Sequence, residues 1–239
     1  VTVVVEAVKT DGETAPAVAP ARMFLPGEAP GTPGLRTSMP LARLIPQGAC
    51  DELTLLTGGA CTVTVTAEAG DTATAESYRV SEAGLHLFRF DTRDFPGAER
   101  VTVDAGECGA VNYSVIPAVR DGVRLAWRSS AGSVEHYTFP VVRTVTVRAE
   151  RREAEGPEGR VVAASSAGRE TLLASAYEGQ AVLEALACLT AAPEVWIAEG
   201  DVYMPVCVVT DEAVVRRHGT LCCLEIAIRP KCKSRVSWN

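Results

Sequence analysis

Apolar and polar residues alternate with period two over most of this chain, the pattern of a strand with one buried face. In Cys61-Thr62-Val63-Thr64-Val65-Thr66 the valines fall on one side and the threonines on the other. Thr74 to Val80, Gly84 to Phe90, Arg100 to Val103 and Val111 to Pro117 continue the alternation. Turn sequences such as Ala69-Gly70-Asp71 and Phe95-Pro96-Gly97 separate them. The β-branched run Val1 to Val5 adds a further strand. Short strands spaced by about 8–12 residues predict an Ig-like β-sandwich module, placed at residues 1–118.

A second β module, residues 119–239, opens with a hairpin. Its strands are Val123 to Trp127 and Val134 to Phe139, joined through Ser129-Ser130-Ala131-Gly132. Val142 to Arg151 alternates again, with Val145, Val147 and Ala149 on one face. Arg151 to Arg160 contains Gly156, Pro157 and Gly159 and reads as a turn or exposed loop. Val161 to Ala164 and Glu170 to Ala176 read as two more strands. Glu178 to Thr190 is the one helix: Val182, Leu183, Leu186 and Leu189 share a face at helical spacing, and Pro193 cannot continue it. Val195 to Ala198, Val202 to Thr210, Ala213 to Arg217 and Leu221 to Arg229 complete the sheet of a second β-sandwich or barrel module that the helix covers. The fold class is therefore mainly β.

Between residues 10 and 46 the texture changes. Pro16, Pro20, Pro26, Pro30, Pro33, Pro40 and Pro46, with Gly27, Gly31 and Gly34, break regular structure. The segment reads as an extended arm or long loop.

Composition narrows the function classes. Hydrophobic residues make up 47% of the 239, enough for a sizeable core. The net charge of -7 and pI near 5.1 argue against nucleic acid as a partner. The closest basic run, Arg229 to Arg235, reads as a solvated end, with phosphate contact as the other reading. No apolar run reaches the roughly 20 residues of a membrane helix, so membrane insertion is not expected. Val1 to Val8 lacks the basic start and cleavage site of a signal peptide. The eight cysteines (Cys50, Cys61, Cys108, Cys188, Cys207, Cys222, Cys223 and Cys232) are placed as small apolar residues of a reducing compartment. One bridge, Cys50–Cys61, stays open.

Candidate chemistry is sparse. His86 and His136 sit in strands and His218 precedes Gly219 in a turn, none with a Cys, Asp or Glu at metal-ligand spacing, so structural roles are expected. Cys222 and Cys223 diverge on a strand and do not converge with Cys232 as zinc ligands must. Thr57-Gly58-Gly59-Ala60 lacks the following helix that a phosphate loop needs. The serines of Ala164-Ser165-Ser166-Ala167-Gly168 lack the frame of a nucleophile elbow. Asp91, Arg93 and Asp94 read as an exposed turn. Trp127, with Tyr137 and Phe139, either packs in the core, which its odd strand position favours, or stacks on a sugar. No catalytic, cofactor-binding or metal-ligating residue is assigned.

One element resembles a known group. Arg124-Leu125-Ala126-Trp127-Arg128-Ser129-Ser130-Ala131-Gly132, followed by Tyr137-Thr138-Phe139, is similar to a hairpin of tail-associated structural proteins of phages and prophages from Bacteroides-type bacteria. The order that follows is similar too: a long strand, a variable loop, a helix, then Val195-Trp196-Ile197 and the Tyr203 to Asp211 segment. The likeness covers Val119 to Asn239, about half the chain. It departs from the group at Ser129 and Ser130, where asparagine is common, and near Ser175, where members are more aromatic.

The resemblance implies a non-enzymatic distal-tail or baseplate-like component that associates with itself or with other tail proteins. It would reside in a virion, or in the host cytoplasm during assembly, with the Pro-rich arm as a subunit clasp. The competing expectation is a secreted or cell-surface binding module, an adhesin or carbohydrate-binding protein, for which carbohydrate would be the partner.

Overall fold

The computed structural model describes residues 4–8, 14–18, 32–157, 159–215, 222–231 and 234–236. Strands β1 (Val4–Val8) and β2 (Thr14–Val18) pair antiparallel as a two-stranded sheet.

The next eight strands are β3 (Gly34–Arg36), β4 (Ala42–Pro46), β5 (Cys50–Thr57), β6 (Cys61–Ala69), β7 (Thr72–Val80), β8 (Gly84–Asp91), β9 (Arg100–Asp104) and β10 (Ala110–Ile116). They form a sheet ordered β3-β5-β8 and a second ordered β4-β10-β9-β6-β7. The chain enters along β3 in one sheet and crosses to the other, where β4 runs parallel to β10. That shared first strand, with antiparallel pairing elsewhere, is the Ig-like arrangement. Alternation in β6 places Val63, Val65 and Ala67 inside with Leu53, Leu55, Val101 and Val103, while Thr62, Thr64 and Thr66 stay outside the core.

The rest is one open antiparallel sheet. Its strands are β11 (Val123–Arg128), β12 (Val134–Phe139), β13 (Val141–Gly156), β14 (Gly159–Ala174), β15 (Val195–Glu199), β16 (Val202–Val208), β17 (Glu225–Pro230) and β18 (Ser234–Val236), with helix α1 (Gln180–Ala187) between β14 and β15. The order is β12-β11-β15-β16-β17-β14-β13, and β18 pairs with β14. Helix α1 lays Leu183 and Leu186 on the sheet, and Leu189 follows in a short 3-10 turn. They pack with Trp127, Phe139, Leu173 and Ile226. Met39, from the segment before β4, is buried in this second cluster, so the first part of the chain supplies a plug to the second core.

Several expectations are corrected. The stretch from residue 10 to 46 is not an extended arm where it is described: it contributes β2, β3 and β4, with Arg43 and Ile45 turned inward. Of the described prolines there, Pro33 and Pro40 lie just outside strands, Pro46 ends β4, and Pro16 lies within the two-stranded β1–β2 pairing, where a missing donor costs little. Residues 19–31 lie outside the described residues. The exposed loop expected over Arg151 to Arg160 is instead the end of a long ribbon. Strands β13 and β14 pair from Val141–Ala174 out to Gly156–Gly159, and the two strands expected over 161–176 are one. The strand expected from Ala213 to Arg217 is absent over 211–215, and the rest of it lies outside the described residues. Strand β5, central in its sheet, has no counterpart among the strands read from alternation.

Candidate functional site

The densest collection of buried charge lies where the two modules meet. Strand β4 supplies Arg43, β5 supplies Asp51 and Glu52, and β12 supplies Glu135 and His136. Each is buried. Strand β12 faces both β5 and β4 across this seam. Charged groups survive such burial only when paired, and here the pairing runs from one module to the other.

Asp51 is the hub. His136 Nδ1 lies 3.0 Å from its Oδ1, Arg43 Nη1 lies 3.6 Å from Oδ2, and Arg124 Nη2 lies 3.8 Å from Oδ1. The Glu52 N–H also donates to Oδ1, at 2.9 Å. Glu135 is held from the other module: Ser38 N–H donates at 2.8 Å, Thr37 Oγ1 at 3.0 Å, and Ser133 Oγ, from its own hairpin, at 2.6 Å. Arg43 Nη1 lies 3.5 Å from Glu135 Oε2, and its Nη2 donates to Thr37 Oγ1 at 2.6 Å. Arg124 Nη2 donates to the Cys50 carbonyl at 2.6 Å.

The chain of contacts continues through His136 Nε2, 3.1 Å from the Tyr203 hydroxyl, which donates to Glu52 Oε1 at 3.0 Å. Beyond Glu52, Arg89 donates to Asp201 Oδ1 at 2.6 Å and to the Gly200 carbonyl at 3.1 Å. Gly200 has φ +59, a left-handed conformation that suits glycine, and the turn it makes between β15 and β16 carries Asp201 to Arg89.

An Asp51–His136–Tyr203 sequence resembles the order of a catalytic relay, but its electrostatics oppose that use. Burial pushes the Tyr203 hydroxyl above the usual tyrosine range, and the charge and hydrogen bond of Glu52 push it the same way. Asp51 is also set for pairing. Burial alone would raise it, but the hydrogen bond from His136 and the charges of His136, Arg43 and Arg124 outweigh that and hold it well below the usual carboxylate range. A cleft of about 170 Å³ adjoins the hub, lined by Met39, Arg43, Asp51, His136, Tyr137 and Glu178 among others.

These shifts fix a pH dependence. A lowered Asp51 stabilises the fold above its unfolded value of about 3.9, and that contribution is lost as pH falls through that value toward the native one. Tyr113, Tyr137 and Tyr203 are all held high, each by burial first and then by the charge of Asp51, Glu178 and Glu52 respectively. Their contribution is complete below about pH 10 and is lost as pH rises through the native values. Urea midpoints measured from pH 2 to 11 are expected to be flat across neutrality and to fall at both ends. An acid limb that is the same in Asp51→Asn as in the native chain would refute the assignment to Asp51.

The residues singled out in the sequence scatter. His86 Nε2 lies 2.9 Å from the Glu82 carbonyl on an exposed strand. His218 and Cys232 lie outside the described residues. Cys50 and Cys61 form no bridge. All seven described cysteines are free, and Cys50 instead accepts from Arg89 Nη2 at 3.2 Å. Asp91 binds Arg93 within its own turn, at 2.6 Å, and Asp94 is exposed beside it. Ser165 and Ser166 lie in β14, and Gly58 packs beside Pro33. Trp127 and Phe139 are fully buried and Tyr137 nearly so, so the hairpin aromatics offer no platform for a sugar. Arg229 and Lys231 line a groove of about 500 Å³ with Arg148 and Arg169. No group of three or more His, Cys, Asp or Glu among the described residues could hold a metal ion, and no described helix is long and apolar enough to cross a membrane.

Reading the sequence found His136 but none of its partners. The available signal was charge at inward positions: Arg43 between Ala42 and Leu44, Asp51-Glu52 ahead of Leu53, and Glu135 between Val134 and His136. Comparison of the chain with protein-family models and with curated proteins finds no match.

Proposed function

We propose that this chain is a non-enzymatic structural protein that works by assembling with copies of itself or with other components of a particle. A distal-tail or baseplate-like part of a phage or prophage tail is the setting favoured by the hairpin resemblance, with residence in the virion or in the host cytoplasm during assembly. The observation that carries this reading is the β13–β14 ribbon. Each strand has 16 residues, a reach of roughly 50 Å at about 3.3 Å per residue. From Val141 to Glu155 every residue of β13 is exposed or half-buried. Away from residues 171–174 and 165–167 of β14, which β17 and β18 cover, the ribbon is two-stranded and so marginal in water by itself, and the long outer edge of β13 invites pairing. Such a feature persists where another surface covers it.

The seam supports the same reading. Two modules locked by buried ion pairs move as one block, which suits a building unit.

Light scattering of the purified full chain across a concentration series is the test. A mass that rises to a closed multiple of 25.2 kDa, unaffected by reductant, is the expected result. A strict monomer at all concentrations that binds glycans would overturn the proposal in favour of a surface binding module.

A further inference from the structure

The pairing register sorts the ribbon into two unlike faces. Cross-strand partners share a face, so Val145, Val147 and Ala149 of β13 stand opposite Thr171, Arg169 and Ala167 of β14, and Val162 joins the same face past a register shift. Val147 is 67% exposed and Val162 54%, which is unusual for valines in a regular strand. Arg151, Arg169 and Arg160 border this apolar stripe, with Glu153 and Glu155 toward the tip. The opposite face carries Thr146, Arg148, Glu150, Arg152 and Glu170 along its middle, with Leu172 near the sheet and Val161 at the tip.

The first module offers a counterpart. Strand β7 is the edge of its five-stranded sheet, and all but its last residue are exposed. There Tyr78 packs edge-on against Phe88 with ring centroids 5.3 Å apart, and its ring is 44% exposed. The Tyr78 hydroxyl donates to Glu76 Oε2 at 2.6 Å. That bond and the charge of Glu76, together with the nearby charge of Asp94, hold the tyrosine above its usual range, so two carboxylates flank the aromatic pair. Arg79 pairs with Thr62 and faces the other side of the sheet. The charge balance agrees over longer stretches. Residues 141–174 carry six arginines against five glutamates, whereas residues 32–118 carry eleven carboxylates against six arginines.

We infer that the valine face of the β13–β14 ribbon seats on the Tyr78–Phe88 edge of the first module in a second copy of this chain. Arg151 and Arg169 then face Glu76 and Asp94. The inference rests on the self-assembly reading and gives it a direction. The ribbon of one copy and the β7 edge of the next are different surfaces, so the contact is head-to-tail and closes into a ring or extends as a filament.

Charge reversal on the full chain tests it. The double variants Arg151→Glu with Arg169→Glu, and Glu76→Arg with Asp94→Arg, change only surface groups, and circular dichroism verifies that each folds. Each alone is expected to weaken self-association, measured by sedimentation, about tenfold or more. The four-fold combination is expected to recover most of the loss, because the pairs are restored with opposite signs. An Arg151/Arg169 variant that associates like the native chain overturns the inference and leaves the assembly reading standing. Loss with the Arg151/Arg169 variant but not with the Glu76/Asp94 variant also overturns it, in favour of ribbon-to-ribbon pairing. Weakening by both without recovery refutes the direct pairing. A native chain that stays monomeric at every concentration overturns the inference and leaves the assembly reading only as assembly with other components.

Discussion

Asp51→Ala is expected to destabilise the chain by about 3–5 kcal/mol, the range for breaking a buried ion pair from one side. The reason is what it leaves behind. Arg43 and Arg124 remain charged in a seam that water does not reach freely, and His136 Nδ1 loses the carboxylate 3.0 Å away. Glu135 still faces Arg43 at 3.5 Å, so one guanidinium keeps a partner and the other keeps only backbone and hydroxyl acceptors. Glu68→Ala is the control. It removes the exposed contact with Arg100 at 3.1 Å, and such a surface pair is worth under about 1 kcal/mol. Urea denaturation of both variants decides the matter. An Asp51→Ala loss no larger than that of the control would mean that the seam admits water and the pairing is decorative.

Trp127→Ala is expected to cost a similar amount, about 3–5 kcal/mol, for a different reason. The indole is fully buried in a cluster with Phe139, Leu173, Leu186 and Ile226. Removing it opens a hole between α1 and the sheet that these neighbours fill only in part. The distinguishing readout is pH. The Trp127→Ala deficit is expected to stay constant from pH 7 to pH 3, whereas the Asp51→Ala deficit shrinks as pH falls through about 3.9, where the unfolded carboxylate takes up a proton and the native one stays ionised. A Trp127→Ala deficit that shrinks on acidification in the same way would show that the hole also disturbs the seam.

The sheets were legible because alternation is a local property. Val63 and Val65 against Thr62 and Thr64, or Val123 to Trp127 across a short turn from Val134 to Phe139, place strands without knowledge of partners. Helix α1 was readable from the spacing of Leu183, Leu186 and Leu189. Legibility failed where tertiary contact overrode the local signal. Strand β5 begins Cys50-Asp51-Glu52, and adjacent carboxylates read as surface when their partners lie on other strands. Pro40 and Pro46 read as a break around β4, yet a parallel partner in β10 recruits the residues between them. The loop expected near Gly156 and Gly159 became the ribbon's end because Arg151 to Glu155 pair across to Arg160 to Ser165, and charge along an exposed ribbon resembles charge in a loop. The seam was illegible for the same reason as β5. Its members are 73 to 151 positions apart where they touch across modules, as with Arg124–Asp51 and Glu52–Tyr203, and no window of sequence contains both ends.

That separation has a consequence for how the protein is made. Translation at about 5–20 residues per second leaves roughly 4–17 s between the appearance of Asp51 and that of His136, and longer before Tyr203. Until Arg124 emerges, shortly before His136, Asp51 has Arg43 as its ion-pair partner, and Met39 has no apolar pocket to enter. The strands of the nascent first module can pair, but the surface that later becomes the seam is hydrated and charged. The second module thus docks onto a finished template, and its arrival expels water from a site already laid out by β4 and β5. Ribosome-bound chains ending near residue 120 are the form in which that open template is populated.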